Sequence, residues 1–201
     1  MPEDTAKIRC LNLCPTTAQL RKPVLPAFVA DLVDLESLAL PTPLVAHLTS
    51  TVPSLVISHQ HDYPMPAAPV ALPGLRALMW VTSVTEPSLT QVVDLPPSLE
   101  FLRTNVSGDE EVLRQIRNLT SLRHLELVDL KNVDVFDYLT APLEALEIAG
   151  TDRDFPIARL ASLTTVEALR LNGIRAEIDC SVFRELPDLV ELTVLNSKKI
   201  M

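Results

Sequence analysis

LTSLRHLEL at 119–127 and LPDLVELTV at 186–194 repeat one arrangement: a leucine, two spacers, then apolar-x-x-apolar-x-apolar. In the first stretch the core of the pattern is Leu122-Leu125-Leu127, and in the second it is Leu189-Leu192-Val194. Working outward, the same spacing appears at Ile8-Leu11-Leu13, Leu35-Leu38-Leu40, Val52-Leu55-Ile57, Leu75-Leu78-Trp80 and Leu99-Leu102-Thr104. It appears again at Leu143-Leu146-Ile148 and Val166-Leu169-Leu171. The first positions are 27, 17, 23, 24, 23, 21, 23 and 23 residues apart. Of the 27 pattern positions only Thr104 is not apolar, whereas a chain that is 47% hydrophobic supplies about 13 by chance. A leucine stands three or four residues ahead of most units: Leu32, Leu72, Leu95, Leu119, Leu139, Leu163 and Leu186.

Such spacing describes a short strand with the pattern residues turned inward, too small to bury them without its neighbours. These units resemble the leucine-rich-repeat family, over nearly the whole chain and most clearly from Leu72 onward. The resemblance implies an α/β fold, a curved solenoid. A parallel sheet of about nine short strands would line its concave face, with short helices or extended segments on the convex face. It would be one domain over 1–201, with units starting near 8, 35, 52, 75, 99, 122, 143, 166 and 189. One departure stands out. Where the family carries asparagine or cysteine after the strand, this chain has Thr16, Pro43, Gln60, Ser83, Ser107, Leu130, Thr151, Ile174 and Ser197. An irregular subclass with irregular turns is therefore expected.

The segments between strands carry helix starts. The run 107–111 (SGDEE) leads into Val112–Ile116, Asp154 precedes Phe155–Leu160, and Asp179 precedes Ser181–Arg184. Tyr63-Pro64-Met65-Pro66 to Pro69 cannot be helical and should cross extended.

Composition narrows the function. Net charge is −9, which offers no general attraction to nucleic acid or an anionic membrane surface and suits a protein partner with a basic or neutral surface. Four glycines against 17 prolines, with no GxxxxGK or GxGxxG, exclude the glycine-loop nucleotide folds. The acidic opening Met1-Pro2-Glu3-Asp4 is no signal peptide, and three scattered cysteines (Cys10, Cys14, Cys180) make no disulfide framework, so an intracellular, cytoplasmic setting is expected. The matches to the glycosylation sequon at Asn105-Val106-Ser107 and Asn118-Leu119-Thr120 are read as chance.

With the inward positions set, the alternate residues must face the concave side. The expected protein-binding surface joins Met79, Val81 and Phe101 to the charged Arg103, His124, Glu126, Glu147 and Arg170. Aromatic, methionine and arginine side chains together are common at interface centres. A competing expectation is self-neutralisation, Arg103 by Glu126 and Glu147 by Arg170, which leaves the like-charged neighbours Glu126 and Glu147 unexplained. The leading expectation is a non-enzymatic protein-protein interaction module, an adaptor or assembly subunit with no cofactor. A narrower alternative is the substrate-recognition element of a ubiquitin ligase, although about seven residues before the first strand leave no room for an F-box helical domain. A remote one is a metal-dependent hydrolase built on His59-Gln60-His61-Asp62, which lacks an identifiable third ligand and general base.

Trp80 occupies an inward position and reads as core, with the small Thr104 at the matching spot of the next unit. At the ends, neither Met1–Lys7 nor Asn196–Met201 can cap a solenoid, so an open terminal strand edge paired or capped by a partner or a second copy is expected.

Overall fold

A computed structural model describes residues 7–15, 23–48, 52–82, 88–105, 110–131, 133–197 and 200. The chain forms two compact units, Met1–Leu99 and Glu100–Met201. The first holds the strands β1 (Cys10–Asn12), β2 (Ser37–Pro41), β3 (Ser54–His59) and β5 (Ala77–Thr82), paired in parallel in the order β1-β2-β3-β5. Behind them β4 (Val70–Ala71) and β6 (Val93–Asp94) form a second parallel pair. The second unit holds β7 (Phe101–Asn105), β8 (His124–Leu130), β9 (Ala145–Thr151), β10 (Ala168–Asn172) and β11 (Glu191–Leu195), also parallel and in chain order.

Each strand but β4 and β6 thus falls on one sequence unit, and the register aligns equivalent positions: Leu125 stands opposite Leu146, Leu146 opposite Leu169, and Leu169 opposite Leu192. The α/β parallel-strand repeat fold is the one the pattern implied. From Leu35 to Leu171, every inward pattern position is buried, Trp80 and Thr104 included. The terminal units differ, with Leu192 40% exposed where Leu169 is 1% exposed.

Two local devices explain why the repeat works. The carbonyl just ahead of one strand accepts both backbone N–H groups at the start of the next: Arg123 O serves Glu144 and Ala145, and Glu144 O serves Glu167 and Ala168. The first unit uses the same fork, with Arg9 O serving Glu36 and Ser37. In five units the extra leucine closes a turn, its carbonyl accepting from the first pattern residue. Leu35 bonds to Leu32, Leu75 to Leu72 and Leu122 to Leu119. These leucines are themselves buried, so one residue both bends the chain and fills the core.

Return segments vary. Three short α-helices occur among the described residues: α1 (Thr42–Val45), α2 (Glu110–Arg117) and α3 (Val135–Tyr138). Helix α2 buries Val112, Leu113 and Ile116 and exposes Glu110, Glu111 and Arg114, which pair with one another. The starts marked by Asp154 and Asp179 lead into tighter 3₁₀ turns, Ile157–Ser162 and Cys180–Glu185. Asp179 caps the second by accepting from Ser181 N at 2.9 Å, and that bond holds its carboxyl below the usual carboxylate range. Tyr63–Pro69 contains no helix. No helix among the described residues is long and apolar enough to cross a membrane.

The turns correct one expectation. In the second unit they share a conformation: Asp129, Gly150, Gly173 and Asn196, each two residues past the last inward strand position, all have positive φ. The following residues Leu130, Thr151 and Ile174 are then buried. Apolar side chains and one threonine fill the place that the family gives to asparagine, and the turn is regular without it. Thr16, Ser83 and Ser107 lie outside the described residues.

Candidate functional site on the open face of the second unit

Strand alternation sends the residues between the leucines to the open side of each sheet. In the second unit, strict register lines them up in rows. One row runs Phe101, His124, Ala145, Ala168, Glu191 across β7 to β11. The next runs Arg103, Glu126, Glu147, Arg170, Thr193. Equivalent residues on neighbouring strands are about 4.8 Å apart, so the side chains of a row touch or leave a gap according to their size. Two adjacent alanines between the rings of Phe101 and His124 and the carboxylate of Glu191 leave such a gap. It is a groove of about 260 Å³ over Ala145 and Ala168, with Glu126, Glu147 and Arg170 along its upper edge.

The charged row is partly self-paired. Arg103 Nη1 donates to Glu126 Oε2 at 3.0 Å, a hydrogen-bonded pair whose side chains are 38% and 24% exposed. Arg170 Nε lies 3.8 Å from Glu147 Oε2, an ion pair too long for a hydrogen bond. Glu126 and Glu147 stand opposite each other in register, each drawn toward the arginine on its outer side. Below the groove, Arg123 pairs with Glu144. Three glutamates (Glu126, Glu147, Glu191) line the groove against one arginine (Arg170), so the lining is net acidic by two, which favours a cationic ligand.

Of the eight residues singled out from sequence, six therefore share the open face of this sheet: Phe101, Arg103, His124, Glu126, Glu147 and Arg170. Met79 and Val81 belong to β5 in the first unit, where Met79 is half-buried and Val81 is 45% exposed. The missed residues are Ala145, Ala168 and Glu191. Size alone marks them, since two alanines in succession in a row of large side chains are a gap and not a contact.

The His59–Asp62 segment is different in kind. His59 is buried, its ring stacked on Trp80 with centroids 5.8 Å apart and edge-on to Tyr63 at 6.0 Å. Thr42 Oγ1 donates to Ser58 O at 3.2 Å, so it accepts from His59 Nδ1–H at 3.1 Å. Burial, with a smaller contribution from His61, lowers the pKa of His59 below its ordinary value of 6.5. His61 and Asp62 are exposed. No group of three or more potential ligands gathers anywhere among the described residues. Cys10 and Cys14 are free and exposed, Cys14 Sγ donating to Asn12 Oδ1 at 3.2 Å, and Cys180 is a free, half-buried thiol.

No protein-family model matches the chain, and no curated protein matches it. One solved structure similar to it is internalin C2 of Listeria monocytogenes, at 18% identity and a TM-score of 0.49. The alignment covers 85% of this chain and 65% of that one, so this chain spans less than two thirds of the internalin's length.

Proposed function

We propose that the chain is a non-enzymatic protein-interaction module, an adaptor or assembly subunit, whose second unit meets its partner through the open face of β7–β11. The observation that carries this is the row Phe101–His124–Ala145–Ala168–Glu191, which cuts an apolar-floored groove into a surface otherwise edged with charge. Aromatic walls around a recess, rimmed by polar groups, suit the centre of an interface, where most of the binding energy concentrates. The residues of the groove include no nucleophile paired with a base, which supports binding over catalysis. The net acidic border supports a partner with a basic surface.

Affinity capture with the purified protein as bait tests this. Glu126→Lys with Glu147→Lys should reduce recovery of the identified partner at least tenfold. The reversal sets cations against that partner, while partly exposed ion pairs such as these contribute on the order of 1 kcal/mol to folding. Arg184→Glu, on the exposed 3₁₀ turn Cys180–Glu185, should leave recovery unchanged. Equal recovery with the double variant, or loss with the turn variant, would move the contact surface off this face.

A further inference from the structure

We infer that the groove over Ala145 and Ala168 receives an arginine side chain of the partner protein, its aliphatic stem on the alanines and its guanidinium between Glu147 and Glu191. This rests on the proposed protein-binding role of the face and specifies what it reads there. The argument begins with shape. His124 and Glu191 are three strand spacings apart in their row, roughly 14 Å, and the two positions between them are alanines. A short apolar side chain would leave the far wall untouched. A long unbranched one spans the floor and brings its tip to Glu191.

The second step is charge. The floor is apolar but its rim is not: Glu191, which accepts a 3.4 Å hydrogen bond from Thr193 Oγ1, forms the far wall, and Glu147 and Arg170 reach over the upper edge, leaving two carboxylates to one guanidinium. Glu126 already accepts a 3.0 Å hydrogen bond from Arg103, while the partner arginine of Glu147 stays 3.8 Å away. Of the two inner carboxylates, Glu147 is therefore the one held more loosely and best placed to take a new donor. An occupant needs an apolar stem and a cationic head, which describes only lysine and arginine.

Geometry selects between them. Glu147 and Glu191 are on strands two apart, so one group must meet two carboxylates from different directions. A planar guanidinium with five N–H donors does this, whereas an ammonium is a compact point charge that holds its water more tightly. The rings of Phe101 and His124 at the near wall give the root of the aliphatic stem an apolar surface to pack against.

Methyl NMR on alanine-labelled full-length protein tests this with N-acetyl-arginine methyl ester as the probe. The Ala145 and Ala168 methyls should shift together, with a dissociation constant in the millimolar range expected of a single side chain. Lysine, citrulline and norleucine analogues should bind at least threefold more weakly. Glu147→Gln and Glu191→Gln should each weaken the arginine probe about three- to tenfold, and Ala168→Leu should abolish its shifts while leaving the other methyl signals in place. Equal shifts with norleucine or citrulline would overturn the charge argument, equal shifts with lysine the choice of guanidinium, and no shift the inference as a whole. Capture of a partner that resists Glu147→Gln and Glu191→Gln but is lost on Glu126→Lys with Glu147→Lys would leave the binding face standing and remove the arginine.

Discussion

The two units end their strands in opposite ways. In the first, β3 continues its alternation, His59 following Leu55 and Ile57 inward, and after Leu38 and Leu40 of β2 the chain stays buried through Pro41 and Thr42. In the second, the equivalent residues Asp129, Gly150, Gly173 and Asn196 turn left-handed, and the inward position passes to Leu130, Thr151 and Ile174. One backbone angle decides which residue after the strand enters the core. The first unit accordingly buries a histidine, a threonine and a tryptophan in one cluster, and the second fills the same level mainly with aliphatic side chains.

The largest expected effect is on the first unit's cluster. Trp80 is 2% exposed and packs against His59, so Trp80→Ala should cost about 3–5 kcal/mol, read from urea denaturation. A loss below about 1 kcal/mol would mean that the polar cluster holds itself without the indole, and the contrast between the units would lose its basis.

Next come the second unit's turns. Gly150 has φ +79°, and a Cβ there would lie 2.9 Å from Asp129 Oδ1, while Gly173, at φ +66°, meets nothing nearer than Gly150 N at 3.9 Å. Both alanine variants carry the left-handed strain of about 1–2 kcal/mol, and only Gly150→Ala adds a clash. The clashing oxygen ends an exposed side chain that can rotate aside, so Gly150→Ala should lower stability only about 0.5 kcal/mol more than Gly173→Ala does. Adding Asp129→Gly should recover most of that difference in thermal melts. Equal losses from the two glycine variants would show that the turns do not lean on one another.

The smallest effect is a pH dependence confined to the first unit. The folded pKa of His59 is lowered, so below 6.5 the unfolded chain binds a proton that the buried ring refuses. Stability from this group is full above 6.5 and falls as pH drops from 6.5 toward the folded value. The ring faces Thr42, Tyr63 and Trp80, with His61 as the titratable group acting on it, and none of these offers a carboxylate to hold the imidazolium. His59→Phe should flatten the melting temperature over that window relative to the parent chain. An unchanged slope would assign it to the carboxylates.

The strands were legible because a period of two fixes every inward residue once one leucine is placed, and the register followed from the unit spacing. The left-handed turns were legible too, in principle. Asp129, Gly150, Gly173 and Asn196 are residue types that tolerate positive φ, yet the expected asparagine ladder draws attention to the residue after each of them. His59 reads as part of a polar loop in His59-Gln60-His61-Asp62, although extending the alternation of Leu55 and Ile57 by one step puts it inside. The groove was hidden for another reason. Large and charged residues announce themselves as contacts, while Ala145 and Ala168 matter by what they leave out, which only the alignment of three neighbouring strands reveals.

Trp80 is the only tryptophan in the chain, and it lies stacked on His59 in the first unit. Its fluorescence is therefore a private reporter of that unit. Protonating a ring in contact with an indole quenches its emission, so the intensity should track the His59 titration directly. Unfolding followed at the tryptophan band describes Met1–Leu99, and any lag of the far-ultraviolet circular dichroism behind it measures how far the second unit outlasts the first.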